Sequence, residues 1–235
     1  MEITILGLGM RKGEVTLEAL KLLESVTYIL CIEQREQFPY YDEYQDKLIS
    51  LDYLFDEYPN RDEALDNIGI TAFRLFKTLP NMLFALQGNP VLSVAPVQEI
   101  IQYAKRENIA FKIIPASSSI ERFMVDTAID ISNVGMQVIS GKLIDKVSNH
   151  LPVLILNPGY SEMVLAEDKM DILERLAKKL ETIYGSNEEF LFYSSKEDGA
   201  EINFVNIKML PPFLQDKSLG RYMVVGPIRY FEAYL

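Results

Sequence analysis

Two glycine turns carry the clearest chemical potential in this 235-residue chain. Gly88-Asn89-Pro90 ends the apolar run Met82 to Leu86. A helical pattern then begins at Pro96, with Val97, Ile100, Ile101 and Ala104 on one face. Pro96 suits a first helical turn, where its missing N–H would be unpaired in any case. The order is buried strand, tight turn, helix. In open α/β sheets, ligands sit outside the carboxyl ends of the strands, where such turns lie. Position alone therefore makes Gly88-Asn89-Pro90 a candidate ligand site, beside its plain reading as an Asn-Pro turn initiator. The second turn, Gly7-Leu8-Gly9, follows the strand Ile3 to Leu6. A dinucleotide fingerprint needs a third glycine at position 12, which is Lys12, so a simple turn is its reading.

The residues that usually hold metals or act as nucleophiles are scarce. The single cysteine, Cys31, lies in the apolar run Tyr28-Ile-Leu-Cys-Ile and reads as core packing, since a reactive thiol needs an electropositive, partly exposed setting. The single histidine, His150, precedes Leu151-Pro152 at the mouth of a strand and reads as structural or surface. One His and one Cys cannot make a conventional zinc site, so no metal is expected. A Ser-His-Asp triad would have only His150 as its base.

The elements that must position the turns alternate in type through the first half. Strands are expected at Ile3 to Leu6, Val26 to Ile32, Leu48 to Leu51, Met82 to Leu86 and Phe111 to Pro115. Helices are expected after the N-cap Thr16, over 61 to 78 (Leu65, Ile68, Ala72, Leu75 and Phe76) and over 97 to 106. That alternation predicts a mainly parallel, Rossmann-like sheet with right-handed crossovers. Past Ser118 the texture changes. A helix over Ile120 to Ala128 precedes strands at Gly135 to Ser140 and Leu151 to Leu156. A long amphipathic helix spans about 168 to 184, with Lys178, Lys179 and Glu181 on its wet face. Strands at Phe190 to Tyr193, Asn203 to Ile207 and Tyr222 to Val225 predict a mixed, partly antiparallel sheet. The fold class is thus α/β, with an N-terminal subdomain over 1–117 and a C-terminal mixed α/β subdomain over 118–235.

A net charge of −11 without a long basic cluster argues against nucleic acid, whose phosphates need Lys and Arg. No stretch approaches the ~20 apolar residues of a membrane span. With one cysteine and no signal-peptide pattern at the N-terminus, a reducing, cytoplasmic setting is expected.

A third element joins the two turns: Pro115-Ala-Ser-Ser-Ser-Ile-Glu-Arg-Phe-Met-Val-Asp-Thr-Ala-Ile-Asp130. The order is a Gly-x-Gly turn, a Gly-x-Pro turn, then Pro-small-Ser-Ser entering a helix that ends in Ile-Asp. With Thr16-Leu17-Glu18-Ala19-Leu20 and Gly135-Met136-Gln137, it resembles the tetrapyrrole methylase superfamily over nearly the whole chain. These are class III methyltransferases that use S-adenosylmethionine (SAM). Within them the chain is most similar to the borosin peptide α-N-methyltransferases. The segment Leu51-Asp-Tyr-Leu-Phe-Asp-Glu-Tyr-Pro-Asn-Arg61 and the Ile-Asp…Gly-x-Gln pattern carry that likeness.

The resemblance implies a SAM site, with S-adenosylhomocysteine (SAH) as its product, in a cleft between the subdomains. It would be held by Gln87, Gly88, Asn89 and Leu92, by Ser118 and Ser119, and by Asn157 and the backbone near Tyr193. Tyr53, Tyr58 and Arg61 would be catalytic, either tyrosine accepting or relaying a proton while the arginine polarises a carbonyl. The alternative is that Tyr53, Phe55 and Tyr58 are packing residues with Arg61 stacked on them. The borosin turn Tyr-Gly-His-Pro reads Gln87-Gly88-Asn89-Pro90 here, a tyrosine four residues after the arginine is Leu65, and Pro-Gly-x-Ser is Pro115-Ala116-Ser117-Ser118. With no core peptide appended before Leu235, a precursor peptide would arrive as a separate chain. A small-molecule substrate such as a tetrapyrrole, or a non-catalytic methylase-fold binding protein, are the competing expectations. The resemblance also implies a homodimer.

Overall fold

The computed structural model describes residues 2–58, 60–160, 169–214 and 222–234. The chain folds as two compact units, Met1–Ser119 and Ile120–Leu235.

The first unit runs β1 (Glu2–Gly7), α1 (Leu17–Ser25), β2 (Tyr28–Cys31), α2 (Tyr41–Tyr44), β3 (Leu48–Ser50), α3 (Leu54–Glu57), α4 (Arg61–Thr78), β4 (Met82–Leu86), α5 (Ala95–Arg106) and β5 (Ala110–Ile114). Its sheet has the order β3-β2-β4-β1-β5, and every pairing is parallel. Both faces are covered, which is why β4 is apolar and buried at all five positions. On one face Ile3, Ile5, Leu30 and Phe84 pack against Ile68, Ala72 and Phe76 of α4 and Val97, Ile100 and Ala104 of α5. On the other, Leu6, Ile29, Cys31, Leu83 and Ala85 meet Ala19 and Leu23 of α1. Gly69 lets α4 and α5 approach closely, since a Cβ there would lie 2.6 Å from Glu99 Cβ. Thr16 caps α1, its Oγ1 accepting from Ala19 N at 3.1 Å, and Asn60 Oδ1 caps α4 through Asp62 N at 2.8 Å.

The second unit begins within α6 (Ser119–Thr127) and continues through α7 (Ile131–Val134), β6 (Gln137–Ser140), β7 (Val153–Leu156), α8 (Lys169–Tyr184), β8 (Glu189–Lys196), β9 (Gly199–Asn206), α9 (Leu210–Leu214) and β10 (Met223–Gly226). The expected start of α8 at 168 lies outside the described residues. The sheet order is β6-β7-β10-β8-β9, with β6–β7 parallel and the other pairs antiparallel. Leu173, Leu176 and Leu180 of α8 cover Val153, Ile155, Phe190, Phe192 and Val224. The fold is the α/β arrangement expected: a parallel five-stranded sheet and a second, mixed one.

Several boundaries differ from the sequence reading for local reasons. Val26 belongs to the C-cap of α1 and not to a strand, and β2 stops at Cys31. Gly135 is the left-handed cap of α7 (φ 70°), so β6 starts two residues later. The hairpin strands β8 and β9 run on to Lys196 and from Gly199, through polar residues that carry no hydrophobic signal.

Candidate functional site

In the first unit, parallel pairing brings the loops that follow β1, β2, β4 and β5 to one end of the sheet. Leu8 N donates to Leu86 O at 2.9 Å and Gly88 N to Gly9 O at 2.7 Å, so the two glycine turns lie side by side and antiparallel. Gly9 (φ 79°) and Gly88 (φ 76°) both sit in the left-handed region that side chains disfavour. Gly7 is packed tighter still: a Cβ there would lie 2.7 Å from Gly88 O, 2.8 Å from Pro90 Cδ and 2.9 Å from Ala116 Cβ. Three loops meet at this residue.

Side chains tie the cluster together. Gln87 Nε2 donates to Met10 O at 3.1 Å, and Asn89 Nδ2 donates to Ala116 O at 3.2 Å. Asn89 Oδ1 accepts from Val91 N at 3.1 Å, the local turn an Asn-Pro pair favours, and Leu92 N reaches Asn89 O at 3.3 Å. Of the sequence-predicted residues, Gln87, Gly88, Asn89 and Leu92 are thus in one place, directly beside Gly9 and Met10. Ser118 is buried and Ser119 opens α6, following Ala116 in the same chain segment.

Two carboxylates are not singled out by the sequence. Glu14 Oε2 accepts from Met10 N at 2.9 Å and also from Ser117 Oγ, linking the loop after β1 to the loop after β5. Glu33, two residues past β2, accepts from Gln87 N at 3.4 Å and Ile32 N at 3.3 Å. Loss of surrounding water pushes its pKa above the ordinary carboxylate value, with those N–H groups pulling the other way. The signal available for both is an acidic residue soon after a strand or a glycine turn.

The tyrosine–arginine segment forms a second group. Tyr53 is 46% exposed ahead of α3, and its carbonyl accepts from Asp56 N at 3.0 Å. Tyr58, partly buried, ends that helix through Tyr58 N to Leu54 O at 3.2 Å. Arg61 is the first residue of α4, and its guanidinium carbon stands 4.7 Å from the centre of the Phe55 ring. Pro59, in the middle of this segment, lies outside the described residues. Ser50 connects the segment to the turn cluster: its Oγ donates to Glu33 O at 2.7 Å and lies 2.6 Å from Asp52 Oδ1.

In the second unit, Asn157 follows β7 in a left-handed conformation (φ 51°), its carbonyl oxygen 2.8 Å from where a Gly141 Cβ would stand. Tyr193, in the middle of β8, is 1% exposed. Its hydroxyl donates to Asp126 Oδ2 at 2.7 Å, and its ring meets Phe123 edge-on at 5.5 Å. Its side chain is committed to packing, and its backbone lies inside the sheet, opposite Met223 of β10 and Ile202 of β9. Gln137 of the Gly-x-Gln pattern has a structural task. Its amide nitrogen donates to the carbonyls of Ser148 (2.8 Å) and Leu151 (3.0 Å), and its Oε1 accepts from Ser148 N at 2.9 Å.

Cys31 is buried, its thiol pushed up to about 12 chiefly by loss of water, and His150 is exposed. Among the described residues no group of His, Cys, Asp and Glu is suited to a metal, and no helix is long and apolar enough to cross a membrane.

Comparison with solved structures finds the same fold at low identity. A uroporphyrin-III C-methyltransferase from Thermus thermophilus matches with TM-score 0.67 and 16% identity, covering 100% of this chain and 98% of that one. A second structure, the native form of the Thermus thermophilus enzyme, gives 0.63 and 13%, covering 98% and 100%. A cobalamin biosynthetic enzyme, cobalt precorrin-4 methyltransferase, gives 0.65 and 12%, covering 97% and 95%. No curated protein sequence is a significant match. The family model for Tetrapyrrole (Corrin/Porphyrin) Methylases matches residues 2–191. That match spans both glycine turns, the Pro-Ala-Ser-Ser segment and part of the second sheet, and so the chain belongs to the tetrapyrrole methylases, class III methyltransferases that take their methyl group from S-adenosylmethionine.

Proposed function

We propose that this methyltransferase N-methylates backbone amides of a separate ribosomal precursor peptide. The observation offered for the reading is that Arg61 stands on Phe55 in a segment that holds two tyrosines, an arrangement the packing alternative also predicts. A cation at the first position of a helix gains nothing from the helix dipole, which favours anions there. Asp62 and Glu63 in the same turn already answer that preference. The stacking of Arg61 on Phe55 is a packing reason for its place there, and a functional reason can stand beside it.

The chemistry supplies one. S-adenosylmethionine offers an electrophilic methyl group on a sulfonium, so the protein's task is to align and activate the nucleophile. A backbone amide is a poor nucleophile because its lone pair is delocalised into the carbonyl. In this reading Arg61 stabilises the charge that develops on the carbonyl oxygen, and Tyr53 or Tyr58 takes the amide proton. In this reading Gln87, Gly88, Asn89, Leu92, Ser118 and Ser119 hold the donor, with Asn157 and the backbone near Tyr193. The residues of the first unit fit such a donor: the glycines bring three loops within contact at the carboxyl ends of the strands, and Glu33 offers a negative charge beside them. Homodimerisation and a cytoplasmic setting complete the reading.

A second reading has its own support. The solved structures named above are of methyltransferases for uroporphyrin-III and cobalt precorrin-4, which favours a small-molecule substrate. Against it stands the charge of −11, since tetrapyrrole precursors carry several carboxylates and suit a basic cleft. The test is to incubate the enzyme with SAM and either a precursor peptide encoded beside it or uroporphyrinogen III, then read methylation by mass spectrometry. Methyl groups on peptide backbone nitrogens support the first reading, and methylation of the tetrapyrrole alone overturns it. SAH binding without turnover on either substrate would select the non-catalytic alternative.

A further inference from the structure

Glu33 is a partly buried carboxylate with no charge partner among the described residues. Its carboxylate accepts from backbone N–H groups only: its own, Gln87 at 3.4 Å and Ile32 at 3.3 Å. Among the described residues no cation is bonded to its carboxylate. Cys31, the last residue of β2, is held as a neutral thiol, and Asp52, after β3, is another acid, engaged by Ser50 Oγ at 2.6 Å. Arg35 is turned to Gln45 O at 2.6 Å, and Gln87 of the β4 turn is uncharged. An ionised carboxylate short of water and without a partner is costly, and folded proteins keep one where something else supplies the opposite charge.

We propose that Glu33 supplies the negative charge that meets the donor's sulfonium, so that the site prefers SAM to SAH. This inference rests on the reading that the donor lies against the Gln87–Pro90 turn. The two ligands share their adenosine and amino-acid parts. They differ by one methyl group and one positive charge, and a fixed carboxylate acts on that difference. Because the charge sits at the end of β2, flanking the turn on the side away from Gly9, it acts without displacing the backbone contacts that hold the turn. A site built this way binds the charged donor and lets go of the neutral product.

The test is calorimetric titration of the full chain with SAM and, separately, SAH, for the wild type, Glu33→Gln and Glu33→Asp. Glu33→Gln keeps an oxygen acceptor for Gln87 N and removes the charge. The expected result is a SAM affinity about tenfold weaker with SAH affinity nearly unchanged, a loss of about 1.4 kcal/mol confined to the charged ligand. Glu33→Asp should retain part of the preference. Equal weakening of both ligands, or no change in either, overturns the proposal. If Glu33→Gln folds poorly, the wild type alone decides. SAM affinity should fall on acidification through the raised Glu33 pKa while SAH affinity stays level, and parallel curves overturn the inference. A wild type that binds neither ligand fails the placement of the donor itself, a result distinct from a lost preference.

Discussion

The two sheets handle polar groups in opposite ways. In the parallel sheet of the first unit, every strand points the same way, so the loops after β1, β2, β4 and β5 converge on one end. Gln87, Asn89, Glu14 and Glu33 are all drawn into that convergence, each bonding to the backbone of a loop. In the mixed sheet of the second unit, strand ends are shared between both edges. There the polar side chains Gln137, Tyr184 and Tyr193 serve mainly as braces: Tyr184 Oη donates to Leu151 O at 2.8 Å, as Tyr193 does to Asp126. Strand direction, set by the crossover helices, decides where polar groups can gather into a site.

The comparison breaks most visibly at Gly7. A methyl group there meets Gly88 O, Pro90 Cδ and Ala116 Cβ, all within 2.9 Å, and none is the far end of a flexible side chain. Gly7→Ala should cost about 1–3 kcal/mol, or several degrees in melting temperature, and abolish the thermal shift that SAH gives the wild type. The counterpart in the second unit is Gly141→Ala, where a Cβ would stand 2.8 Å from Asn157 O. A similar loss of stability is expected there. If SAH binding survives Gly141→Ala and not Gly7→Ala, ligand recognition depends chiefly on the parallel sheet. Loss in both would give Asn157 an equal part.

A middle-sized effect is expected at Tyr193. Tyr193→Phe removes one buried hydrogen bond, leaving Asp126 its ion pair with Arg122. The cost should be about 1 kcal/mol, a drop of about 2–4 °C. Because the hydroxyl is committed to Asp126, SAH affinity should be unchanged, and calorimetry on the folded variant checks it.

How much of this is legible in the sequence depends on range. The helix over 61 to 78 and the strand Met82 to Leu86 match α4 and β4 residue for residue, because their periodicities are strong and their ends marked by Asn60 and Gly88. The four-residue α3 and α7 are too short to show a period, and the sequence does not reveal them. The glycine turns are visible, and so is their order. That Gly9 and Gly88 touch is not, since nothing local encodes a contact between residues so far apart in the chain. Glu33 and Glu14 escape for the same reason: each matters through a partner far away, Gln87 and Ser117, while its neighbours in sequence mark it only as one more acid in an acidic chain.

The smallest predicted effect is also the one whose sign is most informative. Burial raises the folded-state pKa of Glu33 above its ordinary value of 4.5, so ionising it is harder in the native chain than in the unfolded one. Between those two values the native state holds more protons, and stability therefore falls as pH rises through that window. The penalty is fully present above the folded pKa and absent below the unfolded one. Glu33→Gln removes it, so the variant should melt above the wild type at neutral pH, by about 2–4 °C for each kcal/mol relieved. The two curves should converge in acid. Melting followed across that range checks both halves. A variant that is less stable at every pH would make Glu33 a simple brace for Gln87. A variant more stable without ligand, yet poorer at holding the charged donor, would show a charge kept at the expense of the fold, as expected of a residue selected for what it binds.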